Sequence, residues 1–181
     1  MRFMSLITSR RSVREYAAGA VEPGQIDLCV EAARLAPSAS NGQPWRFVIV
    51  DDPPLKNMVA KAAFGPGSAF NRFAPQAPVL VVIVIEPSSA LNRIGAAIKR
   101  RSYPLIDIGI AAEHFCLQAA ELGLGTCMMG WFDEGRIKRL LGIPASRRIG
   151  LVISVGHPEG SDLPRPKQRK PFEAIAARNR Y

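Results

Sequence analysis

The sequence predicts a layered fold with one central β-sheet between helices on both faces. Three observations carry this expectation. Val79 to Ile85 is a run of seven apolar residues closed by Pro78 before it and Pro87 after it, with no polar alternation, so both faces of this strand are buried. Leu105 to Leu122 is the longest helical stretch, with Ile106, Ile110, Phe115 and Leu117 scattered around much of its circumference. A chain of 181 residues with 48% hydrophobic content is the size of one domain with a real core, so residues 1–181 are read as a single domain.

The elements follow in order. Ser5 to Arg11 reads as a short helix that runs into an extended segment ending at Tyr16. There Arg10, Ser12 and Arg14 share one side, while Val13 turns the other way. Two guanidiniums and a hydroxyl converging on one point suit a phosphate or a carboxylate; an exposed basic strand is the plainer alternative. Glu22-Pro23-Gly24-Gln25 opens a second helix, with Ile26, Cys29, Val30 and Ala33 on roughly one face, and Pro37 ends it. The next stretch, Ala36 to Trp45, holds two prolines, a glycine and six small or amide side chains, so neither neighbouring element continues through it. Its backbone groups need partners, and a polar backbone beside the Trp45 ring suits a flat, hydrogen-bonding ligand.

Trp45 to Val50 reads as a buried strand and Leu55 to Ala63 as a short helix. Phe64 to Phe73 mixes helix breakers with three phenylalanines, which fits either a lid over a planar substrate or a winding loop with core anchors. Residues 86–104 carry Arg93, Lys99, Arg100 and Arg101 and read as an exposed basic excursion. A single small domain seldom encloses a helix fully, so the apolar girth of 105–122 implies burial against a second copy of the chain. Gly123 closes that helix, and Gly125 and Gly130 flank an apolar strand that other atoms can approach closely. Asp133 caps a short helix ending at Leu141, and Arg148 to Gly156 is the last strand. The proline-rich, basic tail, about 163–181, is expected to run extended over a surface, with Lys167 and Arg169 on one side.

Composition narrows the function. The net charge of +9 is clustered, with +3 in residues 1–16, +4 in 90–103 and +4 in 161–181. Such patches attract phosphate groups, and they also keep a protein soluble. A small basic nucleic-acid-binding protein is the less favoured alternative and no nucleic-acid partner is expected, because Phe and Trp are not interleaved with the basic clusters as a stacking platform requires. No apolar run approaches the roughly 20 residues of a bilayer span, and the N-terminus lacks the features of a signal peptide, so no membrane partner is expected and the cytoplasm is the expected compartment. Cys29, Cys116 and Cys127 have no ligand or disulfide spacing and read as small buried hydrophobes, and no metal is expected.

Four motifs occur in one order: Arg-x-Ser-x-Arg from Arg10, Pro-Ser-x-x-Asn-x-Gln-Pro-Trp from Pro37, Gly-Leu-Gly-Thr from Gly123, and Lys-x-Arg-x-Pro from Lys167. Together, from about Leu6 to Ile175, the chain resembles the FMN-dependent nitroreductase family. The resemblance implies an α+β fold with a central mixed sheet flanked by helices, in an intertwined homodimer with two FMN sites at the interface. It implies that Arg10, Arg11 and Ser12 lie at the phosphate end with Lys167 and Arg169, and that Arg14 reaches the pyrimidine edge of the flavin. Pro37, Ser38, Ala39 and Asn41 would come from the partner subunit. The backbone of Met128, Met129 and Gly130 would face the ring, with Asn71 at its edge; where many members carry an acidic residue, this chain has Gly130.

The implied activity is a ping-pong oxidoreduction, in which NADH or NADPH delivers hydride to flavin N5 and a nitroaromatic, quinone or other small planar acceptor then takes its place. No protein nucleophile or catalytic dyad is expected, since the cofactor carries the chemistry. Two relatives of the fold leave a different flavin reaction open, either reductive dehalogenation or fragmentation of the flavin itself.

Overall fold

The computed structural model describes residues 2–64, 70–87, 102–160 and 166–181. Among these residues are α-helices and β-strands that alternate after α2: α1 (Phe3–Ser9), α2 (Pro23–Arg34), β1 (Trp45–Val50), α3 (Pro53–Ala63), β2 (Val79–Ile85), α4 (Tyr103–Glu121), β3 (Gly125–Met129), α5 (Glu134–Leu141) and β4 (Arg148–Gly156). Most of the basic excursion, 88–101, and the centre of the phenylalanine loop, 65–69, lie outside the described residues.

Local chemistry accounts for the helix ends. At α2, Glu22 and Gln25 form a reciprocal capping box, with Pro23 at the first helical position. Asp52 accepts the Leu55 N–H at the start of α3, and Asp133 accepts the Arg136 N–H at the start of α5. Gly123 and Gly142 close α4 and α5 at φ 77° and 64°, where a side chain would be strained.

The sheet order is β1-β2-β4-β3. The mixed sheet anticipated from the sequence is antiparallel at every strand pairing. A parallel contact comes instead from the isolated bridge between Ser12 and Thr126. Apolar content reports burial but is blind to strand direction, which is why direction was not legible. Between Ile83 and Val84 the β2–β4 register slips, leaving Gly150 as the extra residue of a bulge. A Cβ there would meet Ile108 at 3.0 Å, so the glycine lets α4 lie close to the sheet.

Both faces of β2 are buried, and alternate residues serve opposite layers. Val79, Val81 and Ile83 pack with Ile108, Phe115 and Cys29 under α2 and α4. Leu80, Val82 and Val84 pack with Val59, Ala63 and Ile137 under α3 and α5. Phe47 stacks on Phe115 at 6.4 Å.

One expectation, that Trp45–Val50 is a buried strand, needs correction, and the girth of α4 shows the same pattern as the sequence implied. β1 is an edge strand, and of its six residues only Val50 is fully buried. Within one chain α4 is not enclosed either: Leu105 and Ile106 are 48% and 54% exposed near its start. In both elements the apolar pattern overreaches the surface that a single copy covers.

Candidate functional site

The extended stretch after α1 is fastened to β3 at Thr126 and to the segment that follows β4. Val13 N–H donates to the Thr126 carbonyl at 2.9 Å, Ala17 N–H to His157 at 3.0 Å, and Glu159 N–H returns to Glu15 at 3.0 Å. Val13 is 2% exposed and faces Gly125, where an added Cβ would lie 2.7 Å from Val13 Cγ2. Glycine at 125 therefore permits this close approach. Tyr16 completes the anchor. Its hydroxyl lies 2.7 Å from Ser154 Oγ and donates to the Val13 carbonyl at 3.0 Å, and burial pushes its pKa well above the usual phenol range. With Val13 and Tyr16 turned inward, Ser12 and Arg14 are left on the surface.

The C-terminal tail comes back to this stretch. Lys167 Nζ donates to the Ile7 carbonyl at 2.6 Å, tying the tail to α1. Arg10, Arg11, Ser12, Arg14, Lys167 and Arg169 line one cavity of about 620 Å³. Side chains roughly 160 positions apart in sequence thus form one basic wall. Burial lowers the Lys167 pKa, and repulsion from Arg10 and Arg169 lowers it further, against a smaller opposing pull from Glu113. Among the described residues, two carboxylates accompany these cations: Glu113 of α4, 3.3 Å from Arg10 Nε, and Glu15, which lines the same cavity. Below them, burial raises the Cys127 thiol pKa, and Arg14 partly offsets this.

Residues 7–157 match the sequence profile of the nitroreductase family. The chain belongs to that family. It is 31% identical to an NADH dehydrogenase of Thermus thermophilus, over 92% of this chain and 90% of that protein. It is 26% identical to iodotyrosine deiodinase 1 of Pongo abelii, over 96% of this chain and 67% of that one. Among solved structures, an FMN-dependent nitroreductase of Clostridium difficile R20291 is 25% identical, with a TM-score of 0.77 over 99% of this chain and 100% of that one.

In this nitroreductase-family chain the remaining predicted site residues form two groups. The turn Pro37–Asn41 is away from the basic cavity lining and joined to α4 instead: Ala39 N–H donates to the buried Asp107 carboxylate at 3.1 Å. Ser40, Asn41 and Gln43 all have positive φ, at 50°, 52° and 43°. These are strained values for residues other than glycine, and they point to a backbone shaped for a task other than connection. The strain is held by Ser38 Oγ, which accepts the Gln43 N–H at 2.9 Å, and by the Gln43 amide, which donates to the Asn41 carbonyl at 3.2 Å.

The second group lies at the end of β3. Met128 is half-buried toward the α2 and α4 layer, Met129 is buried toward α3 and α5, and Gly130 is exposed with open space around it. Asn71 joins this end. Its side-chain amide donates to the Trp131 carbonyl at 2.8 Å and to the Ala63 carbonyl at 3.1 Å, and its own φ is 63°.

Sequence reading missed three contributors. Glu113 reaches Arg10; an acid in the run Ala111-Ala112-Glu113 was the available signal. Asp107, 5% exposed, is an acid between Ile106 and Ile108, and such a buried carboxylate requires a donor. Phe73, read as part of either a lid or a winding loop with core anchors, packs against the core and lies under the Arg14 guanidinium, 6.0 Å from the ring centroid.

Proposed function

We propose that the chain is an FMN-dependent, NAD(P)H-linked oxidoreductase that works as a homodimer on nitroaromatic, quinone or similar planar acceptors. The observation that carries this reading is the meeting of basic side chains from both ends of the chain at one cavity. An FMN phosphate is a dianion near neutral pH and needs several fixed cations, which Arg10, Arg11, Lys167 and Arg169 supply along one cavity. The residues present therefore fit the group.

When bound, FMN supplies the electron and hydride relay between nicotinamide and acceptor. Arg10, Arg11, Lys167 and Arg169, with the Ser12 hydroxyl, hold the phosphate end. Arg14 would serve the pyrimidine edge, where a cation favours the negative charge that reduction brings. The Met128–Gly130 backbone and Asn71 line the ring. Pro37, Ser38, Ala39 and Asn41 serve the site of a second copy, which their strained backbone and their separation from the basic wall support.

Dimerisation is supported by the uncovered apolar side chains Leu105 and Ile106 on α4 and by Phe172 and Ile175, 72% and 68% exposed, on the tail. Among the described residues no helix is long and apolar enough to cross a membrane. We assign the enzyme to the cytoplasm.

An absorbance spectrum of the purified protein, followed by one anaerobic addition each of NADH and NADPH, tests the reading. A flavin spectrum that bleaches with either nucleotide supports it. Protein that stays colourless after incubation with FMN overturns it. The likeness to an iodotyrosine deiodinase favours a second reading, reductive removal of halogen from a phenol on the same cofactor. A panel comparing nitroaromatics, quinones and halotyrosines decides between the two.

A further inference from the structure

We propose that the turn from Asn71 to Gln76 is a brace for Arg14, with Phe73 the positioning residue that aims the guanidinium at its ligand. The inference rests on the FMN reading above. The turn is fixed on three sides. At its start, the Asn71 side chain bonds the Ala63 and Trp131 carbonyls. Beneath it, Lys56 of α3, 7% exposed and with its pKa lowered by burial, donates to the Pro75 carbonyl at 2.8 Å. At its end, Gln76 Oε1 accepts the N–H of Tyr16 at 3.4 Å, two residues beyond Arg14.

Phe73 is thus presented by a rigid turn whose far end grips the same strand that carries Arg14. Its ring face meets the guanidinium at 6.0 Å, which is within cation–π range. Arg14 is exposed and its side chain is long, so without this plane it samples many rotamers. A lysine buried to hold a proline carbonyl is an expensive way to make an ordinary loop. It is understandable if the loop must keep Phe73 in register with Arg14.

The test uses the full-length protein loaded with FMN and two readouts, FMN affinity by fluorescence quenching and the midpoint potential of the bound flavin. F73L and F73M remove the ring and keep apolar bulk, while F73Y keeps the ring. Loss of a half-exposed cation–π contact weakens binding by about two- to fivefold. If the same factor is lost in the preference for the reduced state, the potential falls by roughly 10–20 mV for a two-electron couple.

F73Y is expected to stay near the wild type, and F73L in an R14Q background is expected to add nothing to R14Q alone. Equal effects of F73L with and without Arg14, or an unchanged potential in both F73L and F73M, overturn the brace and leave the FMN reading standing. Wild-type protein that takes up no FMN overturns both.

Discussion

Lys167 offers the most direct test of the basic wall. In K167M the aliphatic stem is kept and the charge is lost. The bond lost is a charge-assisted one to phosphate, about 1.5–3 kcal/mol in general, and the half-exposed position of Lys167 puts it at the lower end. About 1.5 kcal/mol corresponds to roughly a tenfold loss of FMN affinity. Riboflavin has no phosphate, so its affinity is expected to stay unchanged, and K167R is expected to recover most of the loss. Titration by flavin fluorescence at low and moderate salt measures all three, and the K167M deficit should shrink as salt screens the wild-type charge.

A pH profile sharpens the test. The free protein holds the Lys167 pKa below that of an ordinary lysine, whereas a bound phosphate would raise it again. Affinity for FMN is therefore full below the depressed pKa and falls as pH rises through it, until the raised pKa of the complex is reached. K167M should lack this alkaline loss. Equal weakening of FMN and riboflavin in K167M would refute the placing of the phosphate at this wall.

The anchor beneath the wall yields further predictions. Y16F leaves the Val13 carbonyl and Ser154 hydroxyl short of a buried partner, and urea unfolding should show a loss of about 1–3 kcal/mol. G125A drives a methyl against the Val13 Cβ and both its methyls at 2.7–2.8 Å, atoms too close to the backbone to swing clear. It should cost about 1–3 kcal/mol in the same assay and loosen FMN binding with it. D107A removes the acceptor of the Ala39 N–H and should weaken FMN binding several-fold while retaining most of the helical circular dichroism signal. Burial pushes the thiols of Cys29 and Cys116 up to about 12 and raises Cys127 as well, so below pH 9 an aromatic disulfide reagent should label native protein slowly and all three cysteines promptly after denaturation.

Much of the fold was legible because its cues are local. The uninterrupted run at β2 announced burial on two faces, and Glu22, Asp133, Gly123 and Gly142 marked helix ends by their capping chemistry. The convergence of Arg10 with Lys167 and Arg169 was legible only through the order of four motifs, since nothing local to either segment implies the other. Strand direction and the half-exposed state of β1 were hidden, because an apolar side chain records that it is covered and not by which chain. Buried polar pairs were hidden for a related reason. Ser154 amid Ile153 and Val155, or Lys56 beside Val59, signals that a partner exists, while the partner's identity, Tyr16 or Pro75, depends on the tertiary fold.

The strip from Ser12 to Ala17 has two duties at once: it carries Arg14 into the cavity lining and it pairs with the edge of β3 at Thr126. Peeling it away would release whatever the cavity holds and uncover unpaired peptide groups on an apolar strand, the kind of template on which chains associate. Loading with the flavin should therefore act as a safeguard against aggregation, and depleted preparations should cloud first on warming.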